Sequence, residues 1–283
     1  MQVDFERIER RGREIVPTLR YLMEVEAHVY AFSVAANVLL SFYPFLLVLT
    51  SFCRYVLRWR TAEQAIYIAL KDYFPGTTGE FLAYNLSVQA RPVQWISMLL
   101  LLFTANGIFE PLEVALNRAW GIEKSRSFFK NQLVSMGLIF ACGGLAVLST
   151  LMTALNRDLL AKIAPETIVN ALGIFVFKLA AIPTLILVLF LIYWLLPNGK
   201  VPWRRAFWTA FYVGLAIEAL KNVHLLVWPW LRVKLEHEYG VFVNSATIIV
   251  LSFAAAMIVM AGAEWAARRE RRTLGEQFPN RGE

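Results

Sequence analysis

The chain is divided by long stretches that contain no Asp, Glu, Lys or Arg. Residues 29–53 form one of 25 residues, 92–109 one of 18, 132–156 one of 25, 179–199 one of 21 and 239–263 one of 25. A helix needs about 20 mostly apolar residues to cross the hydrocarbon layer of a bilayer, with a range of about 17–25. Each of the five runs falls in that range. A sixth run, 206–231, is broken only by Glu218 and Lys221 among fully charged groups. Left in water it would be an oily loop of 26 residues, so it too is read as a span. Composition agrees: 58% of the residues are hydrophobic and 17% charged, with a mean hydropathy of +0.52. Soluble domains run at about 45–50% and about 25%.

The expected fold is therefore all-α. Six transmembrane helices are placed over about 29–53, 92–110, 132–156, 172–197, 206–230 and 243–265, inside a membrane domain 29–267. An even number of spans puts both termini on one side. The formal charge is +7, and its distribution chooses the side. The termini and the loops near 117–131 and 198–205 hold 17 Lys and Arg, the opposite loops hold nine, and Lys178 and Lys221 lie within spans. Cytoplasmic loops carry the basic excess. Residues 1–28 and 268–283 are accordingly read as a basic cytoplasmic segment and a cytoplasmic tail. The basic excess is then topological and gives no nucleic-acid partner. Membrane lipids are the expected partners, with a periplasmic or cytoplasmic protein as an open addition. No secretory signal precedes the first run, and Cys53 and Cys142 do not form a disulfide framework.

The first extracytoplasmic loop, 54–91, is too long for a plain connection. Ala62, Ala65, Ile66, Ala69, Leu70 and Tyr73 share one face at helical spacing. Thr77 and Glu80 have capping-box spacing for a second short helix. Amphipathic helices are expected here, forming a packed cap, a gate or a partner surface.

Polar groups inside the spans are the candidate functional residues, because they are costly in hydrocarbon. Ser33, Asn37 and Ser41 recur every four residues and form either a helix-packing seam or a polar groove. Ala206, Ala210, Gly214 and Glu218 make a second such ladder, which turns Glu218 toward the bundle. Glu218 and Lys221 can meet at i and i+3. With His224 and Lys178 they form a candidate intramembrane site. It is either a self-neutralised structural pair, or a net positive site for an anionic headgroup or for protons. At the inner interface, Asn106 and Glu110 close the second span and Pro111 is placed to open a short helix. Its apolar face would be Leu112, Ala115, Leu116 and Ala119, with Glu113, Asn117 and Arg118 pointing elsewhere. Glu264 stands four residues before Arg268, the spacing of a helix-terminal ion pair. His28, His224 and His237 do not cluster as metal ligands, and HExxH, Walker A, GxSxG and CxxC are missing from the sequence. No metal, cofactor or catalytic residue is expected, and the chain is not read as an enzyme.

Four stretches resemble the YihY/BrkB membrane-protein family, once labelled ribonuclease BN-like. They are AFSVAANVLLSFYPFLLVL from Ala31, NGIFEPLEVALNRAWG from Asn106, LIYWLLPNGKVPWRRA from Leu191 and YGVFVNSATIIVLSFAAAMIVMAGAEWAAR from Tyr239. In order, they cover about 30–268. The resemblance implies a six-span protein of the bacterial inner membrane. It also implies an envelope role that extends to serum resistance in some members and to lipid export. It brings no agreed catalytic residues, and the nuclease label reads as a misassignment. The leading expectation is movement or export of an envelope lipid or other amphiphile. The alternative is a non-catalytic envelope scaffold.

Overall fold

Apolar runs long enough to cross a bilayer become helices, because only a helix satisfies every backbone N–H and C=O within one segment in hydrocarbon. The computed structural model describes residues 17–18, 20–73, 80, 84–86, 91–123, 126–161 and 166–277. For 25, 71–73, 91–95, 97–98, 101–106, 128, 150–161, 166–180, 241 and 272–277 only the backbone path is described. Helix α1 is Val25–Ser51 and runs on as a π-helical turn, Phe52–Val56. Next come α2 (Arg60–Tyr73), α3 (Arg91–Trp120), α4 (Phe128–Ala161), α5 (Glu166–Leu195) and α6 (Trp203–Tyr239). A 3-10 turn at Gly240–Phe242 leads into α7 (Val243–Gln277). There is no strand among the described residues.

Apart from α2, the helices run from 27 residues in α1 to 37 in α6, about 40–55 Å at 1.5 Å per residue. Among the described residues, four stretches are long and apolar enough to span: Glu26–Val56, Phe129–Ser149, Trp203–Tyr239 and Val243–Arg271. Ala181–Leu195 in α5 is a shorter apolar stretch. The six long helices form a closed ring of neighbours, α1–α3–α4–α5–α6–α7 and back to α1, with α3 also touching α7. The core of the ring holds Leu116, Leu138, Tyr193, Leu196, Met260 and, from α6, Ala206 and Ala210. Tyr193 is fully buried, and its hydroxyl donates to the carbonyl of Val259 at 2.7 Å, joining α5 to α7.

Helix α2 lies against the end of α1 and against α4. Its buried face is Ala62, Ala65, Ile66 and Leu70, the face read from the spacing. It packs as a cap on Leu46, Leu49 and Cys53. The second short helix expected at Thr77 lies outside the described residues.

One expectation at a helix boundary is corrected. Pro111 does not open a new helix: α3 passes through it unbroken. The proline forfeits one backbone hydrogen bond, but Phe109 before it and Leu112, Ala115, Leu116 and Ala119 after it are held in the bundle core. Glu113 and Asn117 do not point away from that core; both are buried, while Glu110 and Arg118 are exposed. Helix α3 ends instead at Gly121, whose φ of +67° suits glycine. There the N–H of Ile122 donates to the Asn117 carbonyl at 2.8 Å, and that of Gly121 to the Arg118 carbonyl at 3.1 Å. The helical path of α7 runs through Arg268 to Gln277.

Candidate functional site

The four-residue ladder on α6 faces inward. Ala206, Ala210 and Gly214 are buried, and a Cβ on Gly214 would stand 2.9 Å from Cγ1 of Ile186 on α5. Small side chains let α5 and α6 approach closely. The same face continues through Lys221 and His224, each 6% exposed, to the buried Trp228. Lys221 Nζ meets Glu218 Oε1 at 2.7 Å, so the two charges close on each other. The carbonyl of Glu218 accepts from Asn222 Nδ2 at 2.8 Å. His224 lies 5.0 Å from the Trp228 ring, and its Nε2 has no hydrogen-bond partner among the described residues. Lys178 is on α5, but its side chain lies outside the described residues. The Ile186–Gly214 contact fixes the antiparallel register of α5 on α6.

The polar stripe of α1 turns to its own backbone and to α3. Asn37 Nδ2 donates to the Ser33 carbonyl at 2.9 Å, and Ser41 Oγ donates to the Asn37 carbonyl at 2.8 Å. A Cβ on Gly107 would stand 2.1 Å from Asn37 Oδ1, so α3 crosses α1 directly over this side chain. One turn further, Ser41 borders a cleft of about 380 Å³ between α1, α3 and α4. Its other walls are apolar, among them Phe42, Phe45, Phe109, Phe140 and Val147. Gly143 and Gly144 of α4 line it, and a Cβ on either would meet nothing within 4 Å. The lining of the cleft runs from Val38 to Phe52 along α1, about 21 Å of helix.

The remaining candidates gather at one end of the bundle. The side chain of Asn106 lies outside the described residues. Asn117 Oδ1 accepts from the backbone N–H of Asn198 at 2.7 Å, while Glu113 Oε2 is buried with no hydrogen-bond partner among the described residues. Arg118 pairs with Glu26 of α1. Arg126 donates to the carbonyls of Leu195 and Pro197 at 3.1 and 2.7 Å. Arg268 Nε donates to Glu264 Oε1 at 3.0 Å, and Thr18 Oγ1 donates to the other carboxylate oxygen at 2.9 Å. Arg205 meets Glu270 at 2.6 Å, and Arg271 donates to the Ala119 carbonyl at 3.2 Å. The four basic segments thus meet one another, and side-chain bonds tie them together. No group of three His, Cys, Asp or Glu residues is placed to hold a metal among the described residues.

The family described as "Virulence factor BrkB" matches residues 18–282, nearly the whole chain. The chain belongs to the BrkB family. It is also similar to a UPF0761 membrane protein of Acinetobacter baylyi, 25% identical over 211 residues, covering 71% of this chain and 48% of the relative. The chain thus spans about half the length of that curated relative. No solved structure matches. This BrkB-family chain is an integral membrane protein with several apolar helices long enough to span.

The cleft is the feature that sequence reading missed. Its one signal was the Gly143–Gly144 pair in the third apolar run, two adjacent glycines that each cost about 1 kcal/mol in a helix relative to alanine.

Proposed function

We propose that the chain is a six-span protein of the bacterial inner membrane, with both termini cytoplasmic, that moves an envelope lipid or similar amphiphile between leaflets. The observation that carries this reading is the cleft between α1, α3 and α4. One leaflet of hydrocarbon is about 15 Å deep, half of a core about 30 Å thick. A groove lined for about 21 Å is longer than one leaflet and so offers an acyl chain a continuous apolar track. Its glycine wall keeps it open, and Ser41 supplies one polar contact on the way. The gathering of the basic segments at one end supports the cytoplasmic assignment of the termini. The transport reading needs no cofactor, metal or catalytic group. A lipid with a photoreactive acyl chain tests it: crosslinks are expected at Phe42, Phe45, Phe140 or Val147. Labelling spread evenly over the lipid-facing helices would sink the cleft as a track.

The 2.7 Å closure of Glu218 on Lys221 favours a second reading, in which the buried charges only hold α6 in place and the chain is an envelope scaffold. Replacing Glu218 and Lys221 together (Glu218→Gln with Lys221→Met) separates the two. A scaffold keeps its cellular function; a transporter that uses the charges loses it at unchanged protein level.

A further inference from the structure

A second cavity, of about 360 Å³, lies between the first turns of α6 and the last part of α7, at the basic end of the bundle. At Gly262 the two helices pack so closely that a Cβ would stand 2.3 Å from Cγ2 of Val213, and 2.9 Å from the hydroxyl of Tyr193 on α5. One turn nearer the helix ends, Thr209 and Ala266 are buried, and the rings of Trp208, Tyr212 and Trp265 frame the cavity. The cavity is walled by those three rings and by Arg205, Thr209 and Arg269. Tyr212 and Trp265 meet edge to face at 5.9 Å, and the Arg269 guanidinium lies 5.5 Å from the centre of the Trp265 ring.

Trp and Tyr collect where hydrocarbon gives way to headgroups, and Trp208 and Tyr212 are both exposed here beside exposed Trp203 and Phe207. From Arg205 to Tyr212 is about 10 Å along the helix, the scale of a headgroup layer and its border. The chemistry inside is that of an anion site. Over 204–205 and 264–272, six arginines stand against two glutamates, a formal surplus of four positive charges. Glu270 meets Arg205 and Glu264 meets Arg268, so carboxylates are already matched on this end while the surplus remains. An arginine stacked on an indole holds its planar N–H fork in one orientation, which suits the oxygens of a phosphate.

We propose that this cavity binds the phosphate of an anionic phospholipid headgroup, with Arg205 and Arg269 as its cationic wall and Trp208, Tyr212 and Trp265 seating the glycerol and upper acyl region. The site is independent of the transport reading: it would anchor a scaffold to anionic lipid as well as a transporter. Basic pockets between spans on the cytoplasmic face are suited to such headgroups. The test is native mass spectrometry of the full chain in detergent, titrated with phosphatidylglycerol and, separately, phosphatidylcholine. Phosphatidylglycerol is expected to bind about fivefold more tightly per arginine engaged. R269Q, an exposed position on the helix, is expected to lose about that factor for phosphatidylglycerol and to weaken phosphatidylcholine less, because its choline already offsets the phosphate charge. R205K, which keeps the charge facing Glu270 but removes the fork, is expected to move the same way. Inorganic phosphate is the competitor. Displacement of the lipid by phosphate assigns the phosphate as the recognised group, and resistance to it assigns the intact lipid. Equal binding of the two lipids by the unaltered chain overturns the proposal. So does an unchanged lipid preference in both variants.

Discussion

At the crossing of α1 and α3, Asn37 and Gly107 meet most tightly. Asn37 occupies the space that any side chain at Gly107 would need, and it is held there by its own bond to the Ser33 carbonyl. Gly107→Ala therefore forces a short, tethered side chain to move. Overpacking of this kind costs about 1–3 kcal/mol. Thermal unfolding in detergent should show a lower midpoint for Gly107→Ala and recovery of most of the loss when Asn37→Ala is added. An unchanged midpoint in the single variant would show that the crossing is loose. The recurrence of Ser33, Asn37 and Ser41 was legible in the sequence because it depends on helix period alone. Gly107 as their counterpart was not, because it depends on which helix lies opposite and in what register. The same distinction holds for α6. Ala206, Ala210 and Gly214 announce a buried face, and Glu218 follows them inward, but only the fold reveals that Lys221 and His224 are as buried as the alanines' neighbours.

At the scale of the element, α2 shows where periodicity suffices and where it stops. Its buried face follows from spacing. Its anchor does not: Arg54, from the π-helical turn of α1, reaches Glu63, which also accepts from the Tyr67 hydroxyl at 2.6 Å. That cluster forms only after the chain reverses at Arg58, a non-glycine residue with a φ of 52°. Burial pushes the Glu63 carboxyl up, but the hydrogen bonds from Arg54 and Tyr67 outweigh it and hold Glu63 below its usual 4.5. A carboxyl with a depressed folded value stabilises the folded state above the unfolded value of 4.5, and that contribution is lost as the pH falls through the lower folded value. Amide hydrogen exchange in α2 should therefore rise as the pH falls below 4.5, beyond the intrinsic change in exchange rate. Glu63→Gln should lower protection of α2 at neutral pH, by about 1–2 kcal/mol, and flatten the acid response. A full acid response in the variant would place the proton elsewhere. Helix α3 gives the opposite lesson: Pro111 is a strong local start signal, and the core packing of Phe109 before it and of Leu112, Ala115 and Leu116 after it overrode it.

For the whole molecule, the six long helices, the all-α class and the grouping of the basic segments could be read from charge-free length and charge position. Both are properties of composition along the chain. The two cavities could not, because each arises from the spacing between helices far apart in sequence: α1 with α3 and α4, and α6 with α7. The transport reading stands on the first of these. The glycines of its wall have open space before them, so Gly143→Leu with Gly144→Leu should fill the cleft and leave the fold intact. The decisive measurement is reconstitution into vesicles that carry a fluorescent phospholipid, with the outer label quenched and several headgroups compared. The expected result is protein-dependent movement of label across the bilayer for the unaltered chain, and its loss in the double-leucine variant with unchanged thermal unfolding. Equal movement in the two proteins, or none for any headgroup with the unaltered chain, would contradict the cleft as a lipid path.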